Sequence, residues 1–133
     1  MTAPLCLDTS AYSHFRRGHA PAIEAIVVAR RVLVPAIVLG ELRAGFRLGK
    51  RAAHNEDALR SFLRETVVEV TSVDEDAADI YADIVVALRA AGAPIPTNDV
   101  WIAALAARDG ATVLTYDAHF AKIGRIAARV LSA

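Results

Sequence analysis

The chain has 133 residues, 55% of them hydrophobic, and its 15 Lys and Arg balance its 15 Asp and Glu. That length and apolar share fit one domain spanning residues 1–133 with a substantial core. Zero net charge excludes bulk steering toward nucleic acid, and a single cysteine, Cys6, excludes an internal disulfide or a cysteine-based zinc site.

Cys6 lies in the apolar run 4–7 and reads as a small buried hydrophobe. No apolar run approaches the roughly 20 residues that a spanning helix needs, so no membrane association is expected. The opening Met1-Thr2-Ala3-Pro4 lacks the basic and apolar regions of a signal peptide, which makes the cytoplasm the expected location. Thirteen of the fifteen basic residues are Arg, which suits planar phosphate recognition and equally fits a codon bias.

Short apolar runs alternate with helical patterns, as in βαβ units around a mostly parallel sheet. Residues 5–7 read as a first strand and 10–16 as a short helix. Apolar spacing predicts a helix over 21–30 and a strand over 32–34. Pro35 then opens a helix, where its missing N–H costs nothing, and Gly49 stops it after Leu48. A helix over 52–64, a short strand over 67–70 and a long helix over 74–91 follow. The last elements are a loop over 92–96, a mostly apolar helix over 98–108 and strands at 112–115 and 129–131.

Four carboxylates fall where predicted strands end or helices begin: Asp8, Glu41, Asp99 and Asp117. In an open parallel sheet the carboxyl ends of the strands share one edge, and ligands bind in the crevice outside it. All four acids belong to that edge. Like charges in a shared site repel, so their convergence would call for a hard divalent cation with oxygen ligands, such as magnesium or manganese.

Each acid also has a plainer reading. Asp8 could cap the helix that begins near Ser10, Asp99 could complement its helix dipole, and Asp117 could form a turn. Glu41 is harder to explain this way. A helical wheel places it between Ile37, Val38 and Leu48, with Arg43 and Arg47 on the opposite side. A carboxylate on an apolar face needs a partner, either an arginine or a metal. The acids Asp74, Glu75, Asp76, Asp79 and Asp83 on the long helix read as a solvated face. The four histidines show no ligand spacing; His119 is close enough to Asp117 to touch the site, but a surface position is the plainer expectation. No glycine-rich phosphate loop is present, and Thr9 and Ser10 lack the elbow of a serine nucleophile.

Four segments together resemble the motifs of PIN-domain ribonucleases: Leu5-Cys6-Leu7-Asp8-Thr9-Ser10; Val38-Leu39-Gly40-Glu41-Leu42-Arg43-Ala44-Gly45; Asn98-Asp99-Val100-Trp101-Ile102-Ala103-Ala104; and Thr115-Tyr116-Asp117-Ala118-His119-Phe120. Their order, spacing and span of the whole chain are similar to a VapC-type toxin of a toxin–antitoxin pair. Two positions depart from the pattern. Val38 stands where many relatives have a hydroxyl residue, and His119 stands where many have a further acid.

The resemblance implies a PIN-like α/β/α sandwich with a mostly parallel central sheet. It implies metal-dependent cleavage of RNA phosphodiesters with one or two Mg2+ or Mn2+ ions. Asp8 and Asp99 would be the firmest ligands, completed by Glu41 and Asp117, with Thr115 and Thr9 as supporting donors. Phosphate contacts would come from Arg43, Arg47, Lys50 and Arg51 beside Glu41 and from Arg16 and Arg17 beyond Asp8. The implied partners are an RNA substrate, a cognate antitoxin protein and a second copy of the chain. The antitoxin would dock on the helices 35–48 and 52–64, where Ala52, Leu59, Phe62 and Leu63 fit candidate contacts and core residues equally well. Two other functions remain open at this point: a non-catalytic RNA-binding or adaptor domain, and a phosphatase-like metallohydrolase. The absence of a second aspartate two residues after Asp8 argues against the commonest form of the latter.

Overall fold

A computed structural model describes residues 2–133. Five strands form one sheet in the order β3-β2-β1-β4-β5. They are β1 (Leu5–Leu7), β2 (Val32–Pro35), β3 (Val68–Thr71), β4 (Thr112–Thr115) and β5 (Ala127–Val130). Every pairing is parallel, with Leu5 opposite Val32 on one side and Thr112 on the other. The expected mostly parallel sheet is thus fully parallel. The central strands β1 and β2 are buried at every position, as strands covered on both faces must be.

Six helices connect the strands: α1 (Thr9–Arg16), α2 (Ala20–Val27), α3 (Ala36–Leu48), α4 (Ala52–Leu63), α5 (Glu75–Ala90) and α6 (Thr97–Arg108). Helix α1 packs on α2 and α3, α3 packs on α4, and α5 packs on α6. Right-handed crossovers put these two groups on opposite faces of the sheet, because the chain reverses its direction across it after β3. Gly92 and Gly110, with φ of 65° and 63°, end α5 and α6 in the left-handed conformation that side chains resist. Leu7, Val34, Val38, Leu59, Ile102, Leu114 and Phe120 form the centre of the core.

The first two connections run one way across the sheet and the later ones run the other way, so β1 and β4 flank the point where the order reverses. In open parallel sheets a crevice opens there, outside the carboxyl ends of the two strands. Asp8 follows β1 and Thr115 closes β4, so the topology delivers both to this point.

Several sequence expectations need correction. Arg129 and its neighbours do form a last strand, but it begins at Ala127. A 3-10 helix, Ala118–Lys122, follows Asp117 where no element was expected. Of the two readings open for Leu59 and Phe62, the core one holds and the docking one falls: they are 0% and 8% exposed. Leu48, the last residue of α3, is 90% exposed, and its neighbour Arg47 is exposed as well. The apolar face assigned to Glu41 therefore reduces to buried Val38 and half-buried Ile37.

Candidate acidic site

Asp8 caps α1, with extended backbone at φ −87° and a carboxylate that accepts the Ala11 N–H at 2.8 Å. Its two oxygens also accept the Ser10 hydroxyl at 2.8 and 3.0 Å, and one accepts the Thr115 hydroxyl at 2.5 Å. The residue is 4% exposed. Burial pushes its carboxyl above the ordinary range; the Thr115, Ala11 and Ser10 donors oppose this, and the Asp117 charge adds to it.

Thr115 and Ser10 tie β4 to α1. The fully buried Thr115 hydroxyl accepts the Asp117 N–H at 2.9 Å, and the Ser10 hydroxyl accepts the Tyr116 N–H at 2.9 Å. Asp117 then caps the 3-10 helix by accepting the His119 N–H at 2.9 Å. The His119 ring carries Nδ1 to 3.1 Å from Asp117 and 3.4 Å from Asp99, which lies in the first turn of α6. Burial raises the Asp99 carboxyl, the His119 hydrogen bond lowers it, and the Asp117 and Asp8 charges raise it again. Asp8, Asp99 and Asp117 are therefore close enough to feel one another.

Glu41 joins this group through neighbours of the other acids. It accepts the Thr9 hydroxyl at 2.6 Å and the Asn98 amide at 3.4 Å, residues adjacent to Asp8 and Asp99. All four expected carboxylates are thus brought to one rim, and Thr115 and Thr9 donate to them. The tightest arrangement consists of Asp99, Asp117 and His119, whose ligand atoms can lie within 4.8 Å of one another. Two carboxylates and an imidazole suit a borderline divalent ion such as Mn2+, and the further oxygens of Asp8 and Glu41 suit Mg2+. Among the described residues, no Lys or Arg forms an ion pair with any of the four acids. The capping roles are real for Asp8 and Asp117, but each cap uses only part of the carboxylate's accepting capacity.

Two contributors escape the sequence reading, and a third, His119, enters it only as an alternative. His119 keeps its surface position, with 42% of its side chain exposed, and also contacts the acids, because the unforeseen 3-10 turn sets its ring against Asp117. Ser10 and Asn98 supply hydrogen bonds that only the folded rim reveals, although each stands beside or near an acid in the sequence.

The expected cationic flank is less free than its composition suggests. The Arg43 guanidinium holds Glu56 of α4 at 3.1 Å, and Arg60 shares that carboxylate at 3.2 Å. Arg47 is exposed and lines a groove of about 460 Å3 with Phe46, Ala52 and Arg60. Lys50 and Arg51 are exposed beyond the end of α3. Arg16 and Arg17 are exposed at the end of α1, with Arg16 lying 5.9 Å from the Phe15 ring centre.

A model of the PIN domain matches residues 5–126 of this chain. The chain belongs to the PIN-domain family. Ribonuclease VapC5 of Mycobacterium tuberculosis is 30% identical over 117 residues, covering 88% of this chain and 85% of that protein. Ribonuclease VapC4 of the same organism is 34% identical over 88 residues, covering 66% of this chain and 68% of its own. Among solved structures, a member of the VapBC toxin–antitoxin family, VapBC-5 from M. tuberculosis, superposes with a TM-score of 0.74 at 28% identity and covers 98% of this chain and 99% of its own. DNA-bound VapBC from Salmonella typhimurium shares the fold with a TM-score of 0.84 at 24% identity, covering 98% of each chain. The PIN-like α/β/α sandwich and the VapC-type resemblance read from the four motifs both hold.

Proposed function

We propose that this PIN-family chain is a metal-dependent endoribonuclease, the toxin of a toxin–antitoxin pair, acting as one domain in the cytoplasm. One observation carries the reading: four carboxylates gather at the sheet's reversal point, and no arginine or lysine among the described residues neutralises them. Ribonuclease names among the relatives support RNA as the substrate.

Asp8 and Asp99 would hold Mg2+ or Mn2+, with Asp117, Glu41 and His119 completing the pocket for one ion or two. A bound divalent ion supplies Lewis-acid polarisation of a phosphoryl oxygen and acidification of the attacking water. The protein's own part is orientation. Thr115 and Ser10 fix both oxygens of Asp8, and Thr9 fixes one oxygen of Glu41, so the ligand set is arranged before an ion arrives. The carboxyls of Asp8 and Asp99 are raised above their ordinary range by burial, and a bound cation would act in the opposite direction. Arg16, Arg17 and Arg47 would contact the flanking phosphates, while Arg43 first has to be released from Glu56.

Solved neighbours that are VapBC complexes support a protein antitoxin as partner, and the reading includes a homodimer. The groove between α3 and α4 would receive the antitoxin, with Phe46 and Ala52 as contacts in place of buried Leu59 and Phe62. No helix among the described residues is long and apolar enough to cross a membrane.

Incubation with RNA in the presence of Mg2+ or Mn2+ tests the activity. Cleavage should appear with metal, vanish on chelation and vanish in Asp99→Asn. RNA binding indifferent to chelator, without cleavage, would instead indicate an adaptor.

A further inference from the structure

Beside the acidic pocket lies a second cluster that metal binding does not use. The His14 and Tyr116 rings stack with centroids 3.7 Å apart and planes at 12°, and His19 stands edge-on to both at 5.6 and 5.2 Å. His19 Nδ1 is hydrogen-bonded to the Tyr116 hydroxyl, and His14 Nδ1 donates to the Ser10 carbonyl at 2.9 Å. The Arg17 guanidinium sits 3.4 Å from that same His14 nitrogen. All three rings are half-buried, so each keeps part of its surface in solvent.

The cluster is built into the rim. Tyr116 lies between Thr115, which donates to Asp8, and Asp117; its own N–H is held by the Ser10 hydroxyl that touches both Asp8 oxygens. On the other side, Gly18 with φ of +83° makes the turn that brings His19 back to Tyr116, a conformation a side chain there would strain. If packing alone mattered here, apolar rings would fill the space without leaving heteroatom edges to be satisfied. Instead the chain presents three flat, polar-edged rings and a guanidinium next to a pocket suited to a phosphodiester.

We propose that His14, His19 and Tyr116, with Arg17, form a stacking shelf for an unpaired base of single-stranded RNA adjoining the phosphate to be cut. The proposal deepens the nuclease reading and rests on it. Bases splayed from a single strand stack on aromatic rings and arginine planes, and such stacking tolerates any base because each offers a π face. Arg17 would meet the adjoining phosphate while the rings hold the base. The shelf would therefore bias the enzyme toward loops and unpaired segments over duplex.

The test uses the cleavage-silent Asp99→Asn protein, fluorescein-labelled oligouridine and a matching ribose-phosphate oligomer that lacks bases. Adding Tyr116→Ala or His14→Ala should weaken oligouridine binding about five- to a hundredfold, whereas Tyr116→Phe should stay within about threefold. The base-free oligomer should bind all these proteins alike. Unchanged oligouridine affinity in both alanine variants would overturn the shelf. Equal losses for oligouridine and base-free oligomer would also overturn it, since that is what a purely structural latch predicts. Chelator-sensitive cleavage by the unaltered chain is scored separately, so failure of the nuclease reading is distinguishable from failure of the shelf.

Discussion

Two acidic regions of this molecule look alike in the sequence and differ in the fold. The first turns of α5 carry Glu75, Asp76 and Asp79, with Asp74 as cap and Asp83 one turn on, all of them exposed. Asp74 accepts the Ala77 N–H and pairs with Arg108, and Asp83 pairs with Arg125. These contacts hold the Asp74 carboxyl below its ordinary range, the backbone hydrogen bond contributing most. At the rim of β1 and β4 the opposite holds. Asp8 and Asp99 are withdrawn from solvent, receive neutral donors and one histidine, and are pushed upward by burial, by the Asp117 charge and, for Asp99, by that of Asp8. The number of acids does not distinguish the regions. What does is that one has its counter-charges supplied by arginine or water, while the other is left short of positive charge.

The contrast is broken most severely by neutralising the rim. Asp8→Asn or Asp99→Asn should reduce metal-dependent RNA cleavage below detection in a gel assay, with the folded circular-dichroism spectrum retained. Thr115→Val comes next. It removes the donor to Asp8 and leaves the Asp117 N–H without its acceptor, so activity should fall roughly ten- to a hundredfold and stability by about 1–3 kcal/mol in denaturant titrations.

Metal-free stability gives a subtler measure. Because the folded Asp99 carboxyl is raised, the native state binds its proton more tightly than the unfolded chain does. Its contribution is fully present below the unfolded carboxylate range and is lost as pH rises through the raised folded value. Asp99→Asn removes that loss. In the presence of chelator the variant should therefore melt higher than the parent at neutral pH, and its advantage should shrink as the pH falls. Asp8→Asn should show a smaller advantage, because an amide cannot accept all of the bonds from Ala11, Ser10 and Thr115. Glu56→Gln should leave cleavage intact and tighten RNA binding if the released Arg43 reaches phosphate, an outcome read by anisotropy. The smallest effect belongs to α5: Asp79→Asn should leave cleavage unchanged and alter stability by no more than about 0.5 kcal/mol.

Much of the fold was legible in the residues because its signals are local. The boundaries of β1 and β4 follow from short apolar runs bounded by Asp8 and by Gly110 and Tyr116, and Gly92 and Gly110 mark the ends of α5 and α6. The acids could be assigned to one edge because parallel strands leave no alternative. What was not legible depended on packing across elements. No periodicity announces a 3-10 turn of five residues, so nothing local decides that the surface ring of His119 also bridges Asp99 and Asp117. Leu59 and Phe62 have the spacing of any amphipathic helix, and nothing local says whether their face meets the core or a partner. Likewise, Arg43 resembled its neighbour Arg47 until Glu56, on another helix, was found to hold it.

The central claim is that the rim acids share a divalent ion, and a calorimetric titration of Mn2+ into the metal-free protein tests it most directly. Saturable binding by the parent chain that is lost in Asp99→Asn and retained in Asp79→Asn is the predicted result. Binding that is equal in all three proteins, or absent from the parent, would contradict it.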